Sequence, residues 1–269
     1  RLWPKNPNRA VKIAGMAMTS EFTKAFATKE QAGAEVAGLR WLREGSEHVV
    51  EVLSVTGTQM KIRHVERVRP NVEDARKAGR ELAAIHSQGA PAFGAPPTGW
   101  TGKNFIGRIE QECSPMESWA EFYTHQRVLP FAEKTLKQQG EHKGLSIIHQ
   151  ACEKILAAGG RGEWDIAPAR IHGDLWSGNL LFDVNGPVFI DPAAHGGHPH
   201  TDLGMLALFG APHLHDIFAG YNEVAPFGSE KDLLVFMHQL HPLAVHALTH
   251  GPAYTPDLIA AAEKTIAAL

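Results

Sequence analysis

Cysteine, long apolar runs and an excess of positive charge are all scarce or absent in this chain of 269 residues. Two cysteines, Cys113 and Cys152, are too few for a disulfide framework, so we expect a reducing, cytoplasmic setting. No apolar run approaches the roughly 18 residues that span a bilayer, and the polar start over 1–7 lacks the apolar core of a signal peptide. The 26 Lys and Arg against 29 Asp and Glu give a net charge of −3. We therefore expect neither a membrane nor a nucleic acid as a partner.

What the chain does contain is an ordinary globular balance, with 43% apolar and 20% charged residues. Its first quarter has the pattern of strands around one helix. Alternation over 21–27 and two strand-like runs, 48–55 and 59–68, predict an antiparallel sheet in which a turn over 56–58 joins the last two strands. An apolar stripe at three- and four-residue spacing predicts a helix over 29–42.

The rest of the chain is mostly helical in pattern. Asn71 favours a helix start at the next residue, Ser114 predicts another, and Pro130 predicts a kink in the helix that follows Ser114. We therefore expect an α+β protein with two lobes, a small antiparallel sheet with one helix over 1–68 and a larger, mostly helical lobe over 69–269. A cleft between two such lobes is a natural place for a ligand.

The most informative segment is 171–191, which reads IHGDLWSGNLLFDVNGPVFID. Its Asn-Gly pair at 185–186 is typical of a two-residue hairpin turn. A turn centred on that pair places Leu180 opposite Asp191. Asn179 and Asp191 then meet at the open end of the hairpin.

Asp174 lies five residues before Asn179, in a glycine-containing loop that can fold back over the same end of the hairpin. Two carboxylates and an amide in one small space suit a hard cation such as Mg²⁺, whose usual companion in such a site is a nucleoside triphosphate. Phosphoryl transfer needs a held metal ion, a base near the acceptor hydroxyl and a cation on the phosphates. We therefore predict Asp174 as the base and Asn179 and Asp191 as the metal ligands.

Lys24 is the candidate for that cation. It lies between Phe22 and Phe26 on one face of its predicted strand, where a surface lysine is unexpected. Glu35 lies at the edge of the buried stripe of the following helix and needs a partner, because an unpaired carboxylate near a core is costly. A Lys24–Glu35 ion pair answers both anomalies, as in protein kinases. Taken alone, the two residues fit a solvated strand and a solvated helix face.

Several strings of the chain occur together in one known family. They are HGDLWSGN at 172–179, IDPA at 190–193, GH at 197–198, TDL at 201–203 and NFIG at 104–107, with Trp100, Gln111, Trp119, Glu121 and Phe122. Together they resemble the fructosamine kinase (ketosamine-3-kinase) family, which shares a protein-kinase-like fold with aminoglycoside and choline kinases. The resemblance runs from about residue 22 to about residue 253.

The resemblance implies an ATP- and Mg²⁺-dependent kinase that phosphorylates the 3-hydroxyl of a ketosamine, the sugar adduct of an amine. In that family the 3-phosphate makes the adduct break down, which frees the amine. Asp174 is then the catalytic base, Asn179 and Asp191 hold Mg²⁺, and Lys24 with Glu35 holds the phosphates. The amine is either a small molecule or a side chain of a protein, and we expect the enzyme to be a monomer.

The resemblance also implies nucleotide and substrate contacts. Glu66 and Val68 would be in the connector that meets adenine, and Gly15 and Ser20 would be in the loop that covers the phosphates. That loop, 13–20, departs from the glycine-rich family pattern because it has one glycine.

Four further residues are candidates for contact with the sugar. Trp176 would present a ring face to the sugar, with a buried core tryptophan as the alternative. His172, Asn104 and Trp100 complete the predicted substrate site, although His172 equally suits a structural hydrogen bond beneath the loop.

Two other functions stay open at this point. One is an aminoglycoside- or choline-type phosphotransferase, and the other is a non-catalytic binding protein of the same fold, which the glycine-poor loop favours. The chain has 16 histidines, and a zinc site from His195, His198, His200 and Asp202 is a weaker alternative. A second histidine group, at 238, 241, 246 and 250, is interpreted as polar packing near the acceptor site.

Overall fold

A computed structural model describes residues 20–228 and 235–269. Its N-terminal part is a three-stranded antiparallel sheet with one helix. The bounds are Glu21–Ala25 for β1, Lys29–Arg43 for α1, Val52–Thr56 for β2 and Gln59–Arg63 for β3. The strands are ordered β1-β3-β2, so the first strand pairs with the third. This is the small antiparallel-sheet lobe that the sequence predicts.

Helix α1 agrees with the predicted helix to within one residue. The Thr28 hydroxyl accepts a hydrogen bond from the Gln31 N–H at 3.1 Å, which satisfies one of the free amides of the first turn. Ala32, Val36 and Leu39 are buried, as the apolar stripe requires. Burial of this stripe fixes the rotation of α1 about its axis.

The larger part of the chain is mostly helical and carries three two-stranded antiparallel sheets within the described ranges. Its helices are α2 Val72–Ser87, α3 Trp119–Phe122, α4 Leu129–Gln139, α5 His142–Gly160, α6 His200–Phe209, α7 Leu214–Val224, α8 Val235–His238, α9 Leu240–Thr249 and α10 Thr255–Ala268. Its strands are β4 Asn104–Ile106, β5 Ile109–Gln111, β6 Ala169–Ile171, β7 Leu180–Asp183, β8 Gly186–Phe189 and β9 His195–Gly197. The pairs are β4 with β5, β6 with β9, and β7 with β8. The predicted α+β, two-lobed class is confirmed.

Helix α2 begins where the sequence predicts. The Asn71 side chain accepts hydrogen bonds from the N–H groups of Glu73 and Asp74 at 2.8 and 3.0 Å, and the Asp74 carboxylate accepts from the Asn71 N–H at 3.0 Å. This reciprocal capping box satisfies amides that the first turn leaves without partners.

The helix start predicted at Ser114 is wrong by four residues. Met116 instead exchanges two backbone hydrogen bonds with Phe93, at 2.8 and 3.1 Å, so this stretch is extended. The cap is Ser118, whose hydroxyl accepts from the Glu121 N–H at 3.3 Å. A local helix signal therefore gives way to a pairing with a strand-like segment that is distant in sequence.

The irregularity expected at Pro130 lies just before it. Residues Tyr123–Val128 are π-helical, and Pro130 lies in the first turn of α4. Residues 119–139 are helical without a break, so Pro130 has no N–H to donate to the preceding turn, and the wider π turn lies in that stretch.

The β7–β8 hairpin forms as predicted, but its register differs. Val184 and Asn185 are the two turn residues, so Leu180 pairs with Phe189 rather than with Asp191. The glycine that follows the turn begins β8 with a φ of 116°, a conformation that favours glycine. Because each residue's partner moves by two positions, every side chain keeps its predicted face.

The N-terminal strands are shorter than predicted because part of each run pairs with this hairpin instead. The Val50 N–H donates to the Phe189 carbonyl at 2.9 Å, and the Phe189 N–H donates to the His48 carbonyl at 2.8 Å. The Val68 N–H donates to the Phe182 carbonyl at 2.8 Å. One apolar cluster accordingly extends from α1 through the hairpin to α2. The boundary predicted after residue 68 lies in the segment between β3 and α2 and stays a prediction.

A second apolar cluster fills the helical part, with Trp119, Phe122 and Ile155 among its buried members. It holds α3, α5 and α9 together beneath the short sheets. Within residues 20–228 and 235–269, no helix is both long enough and apolar enough to cross a membrane.

Candidate active site

Lys24 on β1 forms the predicted ion pair with Glu35 on α1. Its Nζ lies 2.7 and 2.9 Å from the two Glu35 carboxylate oxygens and 2.9 Å from Asp191 Oδ1. Burial by itself would lower the pKa of Lys24, but the two carboxylates outweigh it and the pKa is raised. Burial raises the pKa of Glu35 to about 7, against the opposing charge of Lys24. Lys24 therefore stays charged, and its ammonium group reaches from the sheet lobe to Asp191 at the edge of the larger lobe.

Asn179 connects the Asp174 loop with the Asp191 segment of the larger lobe. Its Nδ2 donates to the backbone carbonyl of Asp174 at 2.8 Å, and longer contacts of 3.3 and 3.4 Å reach Asp174 Oδ2 and the Asp191 carbonyl. The amide nitrogen therefore ties the loop of Asp174 to the segment of Asp191. The side-chain oxygen of Asn179 is left as a potential ligand, which is the donor type that Mg²⁺ prefers.

The Asp174 carboxylate has an environment suited to proton transfer. Burial raises its pKa to about 7, while the hydrogen bond from Asn179 and the charge of Lys24 oppose that rise. A base whose pKa lies near the working pH is both available and effective.

The backbone of the site is constrained at two positions. Asp191 has a φ of 55°, in the left-handed region that non-glycine residues rarely adopt, and such strain is concentrated at functional sites. Gly173 has a φ of 79°, and a Cβ atom there would lie 2.3 Å from the Ala193 carbonyl oxygen. Only glycine fits this approach, so it permits the loop of Asp174 to pack against the segment after Asp191.

Asp202 on α6 is a positioning residue that sequence reasoning did not assign to the site. Its carboxylate accepts hydrogen bonds from the backbone N–H groups of His172 and Gly173 at 2.7 and 2.9 Å, and from His86 Nε2 at 2.9 Å. Burial would raise the pKa of Asp202, but these partners outweigh it and the pKa is lowered. The string TDL at 201–203 was the available signal, and it was used for the family resemblance, while Asp202 itself was considered only as a ligand of the alternative zinc site.

A cavity of about 530 Å³ brings the predicted chemistry together. The residues that line it include the five with predicted roles in chemistry, and the two sugar candidates Asn104 and Trp176: Lys24, Glu35, Asn104, Asp174, Trp176, Asn179 and Asp191. Trp176 is 43% exposed, so the alternative of a core tryptophan is wrong. Arg108 and Gln111 also line this cavity and were not assigned to the site from the sequence.

Two sugar candidates lie outside the cavity. Trp100 packs on Gly33 of α1, and its Nε1 donates to the Lys103 carbonyl at 3.1 Å. His172 is buried, its Nε2 donates to the Ile190 carbonyl at 2.8 Å, and its Nδ1 accepts from the Asp174 N–H at 3.3 Å. Trp100 and His172 therefore have structural roles, which for His172 is the alternative that the sequence left open.

The predicted nucleotide contacts are less well placed than the catalytic ones. Glu66 and Val68 do not line the cavity, and the Val68 N–H is engaged by Phe182, so an adenine contact from Val68 would use its carbonyl group. Ser20 is exposed, and its carbonyl accepts from the His64 N–H at 2.7 Å. Gly15 lies outside the described residues.

The histidines that lie together in the structure differ from those of the zinc site considered from the sequence. Nitrogen atoms of His198, His200 and His238 lie within 4.8 Å of one another. His195 is directed elsewhere, with Nδ1 donating to a backbone carbonyl at 2.8 Å, and Asp202 is occupied by His86 and the loop amides. The set predicted from the sequence is therefore not the set that the fold brings together.

The sheet lobe with its Lys–Glu pair, and the larger lobe with its Asp, Asn and Asp at a loop and hairpin, define a protein of the protein-kinase-like class. A thermostable mutant of an aminoglycoside phosphotransferase shares this fold with a TM-score of 0.54 at 16% identity, over 92% of this chain and 85% of that one.

The particular family follows from the sequence itself. The fructosamine kinase family model matches residues 20–268, so the chain belongs to the fructosamine kinase family. A crystal structure from Thermobifida fusca, provisionally named a fructosamine-3-kinase, has a TM-score of 0.83 and 36% identity over 93% of this chain and 86% of that one. Ketosamine-3-kinase of Mus musculus is 29% identical over 72% of this chain and 60% of its own length. The chain spans 60% to 66% of the length of three curated relatives.

Proposed function

We propose that this chain transfers the γ-phosphoryl group of ATP to a hydroxyl group of a ketosamine, at the sugar 3-position, and thereby starts deglycation. The observation that carries the proposal is the convergence of Asp174, Asn179 and Asp191 with the Lys24–Glu35 pair in one cavity. Family membership and the name of the mouse relative support the ketosamine as acceptor. The open alternatives, an aminoglycoside or choline acceptor and a non-catalytic protein, have no such support.

Asp174 is proposed as the catalytic base. It lies on the loop that begins after β6, and the Asn179 amide and the Asp202 carboxylate hold that loop from two sides. In this position it accepts the proton of the sugar hydroxyl as the oxygen attacks the γ-phosphorus. The bond from that phosphorus to the bridging oxygen of ADP breaks in the same step.

Asn179 and Asp191 are proposed to hold Mg²⁺. The donor set fits, because the Asn179 side-chain oxygen is left for a ligand and the Asp191 carboxylate lines the same cavity. When bound, the ion supplies positive charge to the phosphate oxygens. Lys24 already lies 2.9 Å from Asp191, so its charge is available beside the same phosphates.

Trp176 and Asn104 are proposed as sugar contacts. The exposed ring of Trp176 lies beside Asp174 in the chain and offers an apolar face to the C–H groups of a sugar. Asn104 on β4 lines the same cavity and offers an amide to hydroxyl groups. A reducing compartment, the cytoplasm, belongs to the same proposal, since Cys113 and Cys152 are both free thiols.

The proposal is tested by incubating the protein with Mg-ATP and a panel of fructose-, ribulose- and erythrulose-lysine, with kanamycin and choline as comparison acceptors. We expect ADP release and a phosphorylated sugar with at least one ketosamine. A signal with kanamycin or choline alone would favour the phosphotransferase alternative. No ADP with any acceptor, together with no rise in melting temperature on adding nucleotide, would favour a non-catalytic protein.

A further inference from the structure

A second cavity, of about 610 Å³, continues from the active site past Asp174 and Trp176. We call it the outer groove. It lies between the β4–β5 turn and the helices near the C-terminus, and it shares Gly107, Arg108, Asp174 and Trp176 with the first cavity. Its remaining lining residues are Ile106, Ile109, Phe209, Val245, His246, Thr249, His250 and Tyr254. A groove of this size accommodates the part of an acceptor that extends beyond the reacting sugar.

The outer groove is poor in negative charge. Asp174, at its junction with the first cavity, is the only carboxylate among the lining residues in the described part of the chain. His246 donates through Nδ1 to the Pro242 carbonyl at 2.8 Å, and burial lowers its pKa, so its ring is neutral at pH 7. A polycationic acceptor would find no counter-charge among these residues beyond Asp174, which disfavours an aminoglycoside.

Arg108 is the only arginine or lysine among the described residues that line the groove. It lies at the exposed turn between β4 and β5, and within the described ranges its guanidinium forms no hydrogen bond or ion pair. Its neighbour Lys103 differs, because its ammonium pairs with Glu110 at 2.7 Å. A guanidinium presents a fork of donors that matches a carboxylate.

We propose that Arg108 is a specificity-determining residue that binds a carboxylate on the amine part of the acceptor. The preferred substrate is then the sugar adduct of a free α-amino acid, whose carboxylate is a few bonds from the sugar, rather than of an unadorned amine or a protein side chain. This inference rests on the proposed ketosamine kinase activity.

The triphosphate is the competing partner for Arg108, since this residue also lines the first cavity. The phosphates, however, already have Lys24 and the proposed ion site at Asn179 and Asp191 on the far side of Asp174. A carboxylate of the acceptor that lies beyond Asp174 would find no second arginine or lysine among the described residues that line the groove.

The test compares two acceptors that differ in one charge, fructosyl-glycine and fructosyl-glycinamide. With the wild-type chain we expect a lower KM for the carboxylate form by about tenfold, the effect of one charge-assisted contact. Arg108→Gln should raise the KM for fructosyl-glycine by about tenfold, with kcat and the KM for the amide form nearly unchanged. Arg108→Lys should keep part of the preference, and Arg108→Glu should reverse it.

Arg40→Gln is the matched control, because Arg40 is an exposed arginine of α1 that lines neither cavity. It should leave both acceptors unchanged. A rise in the KM for ATP in Arg108→Gln would overturn the proposal and assign Arg108 to the nucleotide. Equal KM values for the two acceptors with the wild-type chain would overturn it as well. Absence of phosphorylation of every ketosamine would instead contradict the proposed function, so the two failures are distinguishable.

Discussion

The two ends of the cleft handle charge in opposite ways. At the inner end Lys24, Glu35 and Asp191 are half-buried, and the Lys24 ammonium pairs with both carboxylates through contacts of 2.7 to 2.9 Å. At the outer end most of the lining residues are apolar or aromatic, and Arg108 has no partner in the described parts of the chain. The groups proposed to act on every substrate are thus held in place by ion pairs within the protein. The proposed specificity residue, Arg108, would instead acquire its counter-charge from the substrate. The following changes test that contrast, from the largest expected effect to the smallest.

Removing the base should abolish most of the turnover at the inner end without disturbing nucleotide binding there. Asp174→Asn should lower kcat by roughly a thousandfold, because an amide cannot take the hydroxyl proton. The Kd for ATP, measured by calorimetry, should change little, since Asp174 does not belong to the Lys24 pair. An Asp174→Asn protein with full turnover would show that another residue is the base.

Removing the lysine should affect the nucleotide rather than the acceptor. Lys24→Met leaves Glu35 and Asp191 facing each other without a cation, so we expect kcat/KM for ATP to fall by about a hundredfold. The KM for the ketosamine should stay nearly constant. Lys61→Met is the control on the neighbouring strand, because within the described ranges Lys61 pairs only with exposed Glu21. A similar loss in both variants would indicate damage to the sheet instead.

Truncating the tryptophan should affect the acceptor rather than the nucleotide. Trp176→Leu removes the ring that lines both cavities, and we expect the KM for a ketosamine to rise by about tenfold, the loss of one stacking surface. The KM for ATP should stay nearly unchanged. Trp100→Leu, at a tryptophan outside both cavities, should leave the KM for the ketosamine unchanged even if it lowers the melting temperature.

The neutral histidines behind the outer groove predict a dependence of stability on pH. Burial lowers the pKa of His241 to about 3, whereas an unfolded histidine titrates near 6.5. Below pH 6.5 protons therefore bind the unfolded chain first, and the free energy of unfolding should fall by about 1.4 kcal/mol per pH unit for this residue.

Urea unfolding at pH 7.5 and 5.5 measures the effect. His241→Asn, which keeps a donor for the Arg127 carbonyl, should lose about 1 kcal/mol less than the wild type between these two values. His142→Gln, at an exposed histidine of α5, should show the wild-type dependence. An unchanged dependence in His241→Asn would mean that folding does not lower the pKa of this ring.

Much of the inner end could be predicted because its signals are local. The stripe of α1 and the Asn71 cap involve residues within a turn or two of each other, and both formed as expected. The turn of the hairpin was predicted one residue too late, which moves the pairing partner of each residue by two positions. Each side chain stays on its predicted face of the hairpin, and Asn179 still lies beside Asp191. The pair of Lys24 with Glu35 was predicted because each was anomalous in its own element.

The failures share a different cause, since each depends on residues that are distant in the chain. Met116 is extended because Phe93 pairs with it, and residues 48–50 leave the sheet because Phe189 pairs with them. Asp202 on α6 holds the loop of Asp174, and neither the pattern of α6 nor that of the loop predicts this contact. Local patterns cannot weigh such pairings, because the competing partner is supplied only when the lobes pack.

The order of residues in 171–191 was enough to indicate phosphate chemistry, because a turn and a short loop carry side chains to one place whatever surrounds them. Which side chains reach the cavity was decided by packing: Trp176 lines it, while Trp100 and His172 are turned into structural contacts. The outer groove likewise exists only because the β4–β5 turn comes to lie against α9, about 140 residues further along the chain. Short-range geometry is determined by neighbouring residues of the sequence. The shape and charge of a cavity depend on segments that come together only in the tertiary structure.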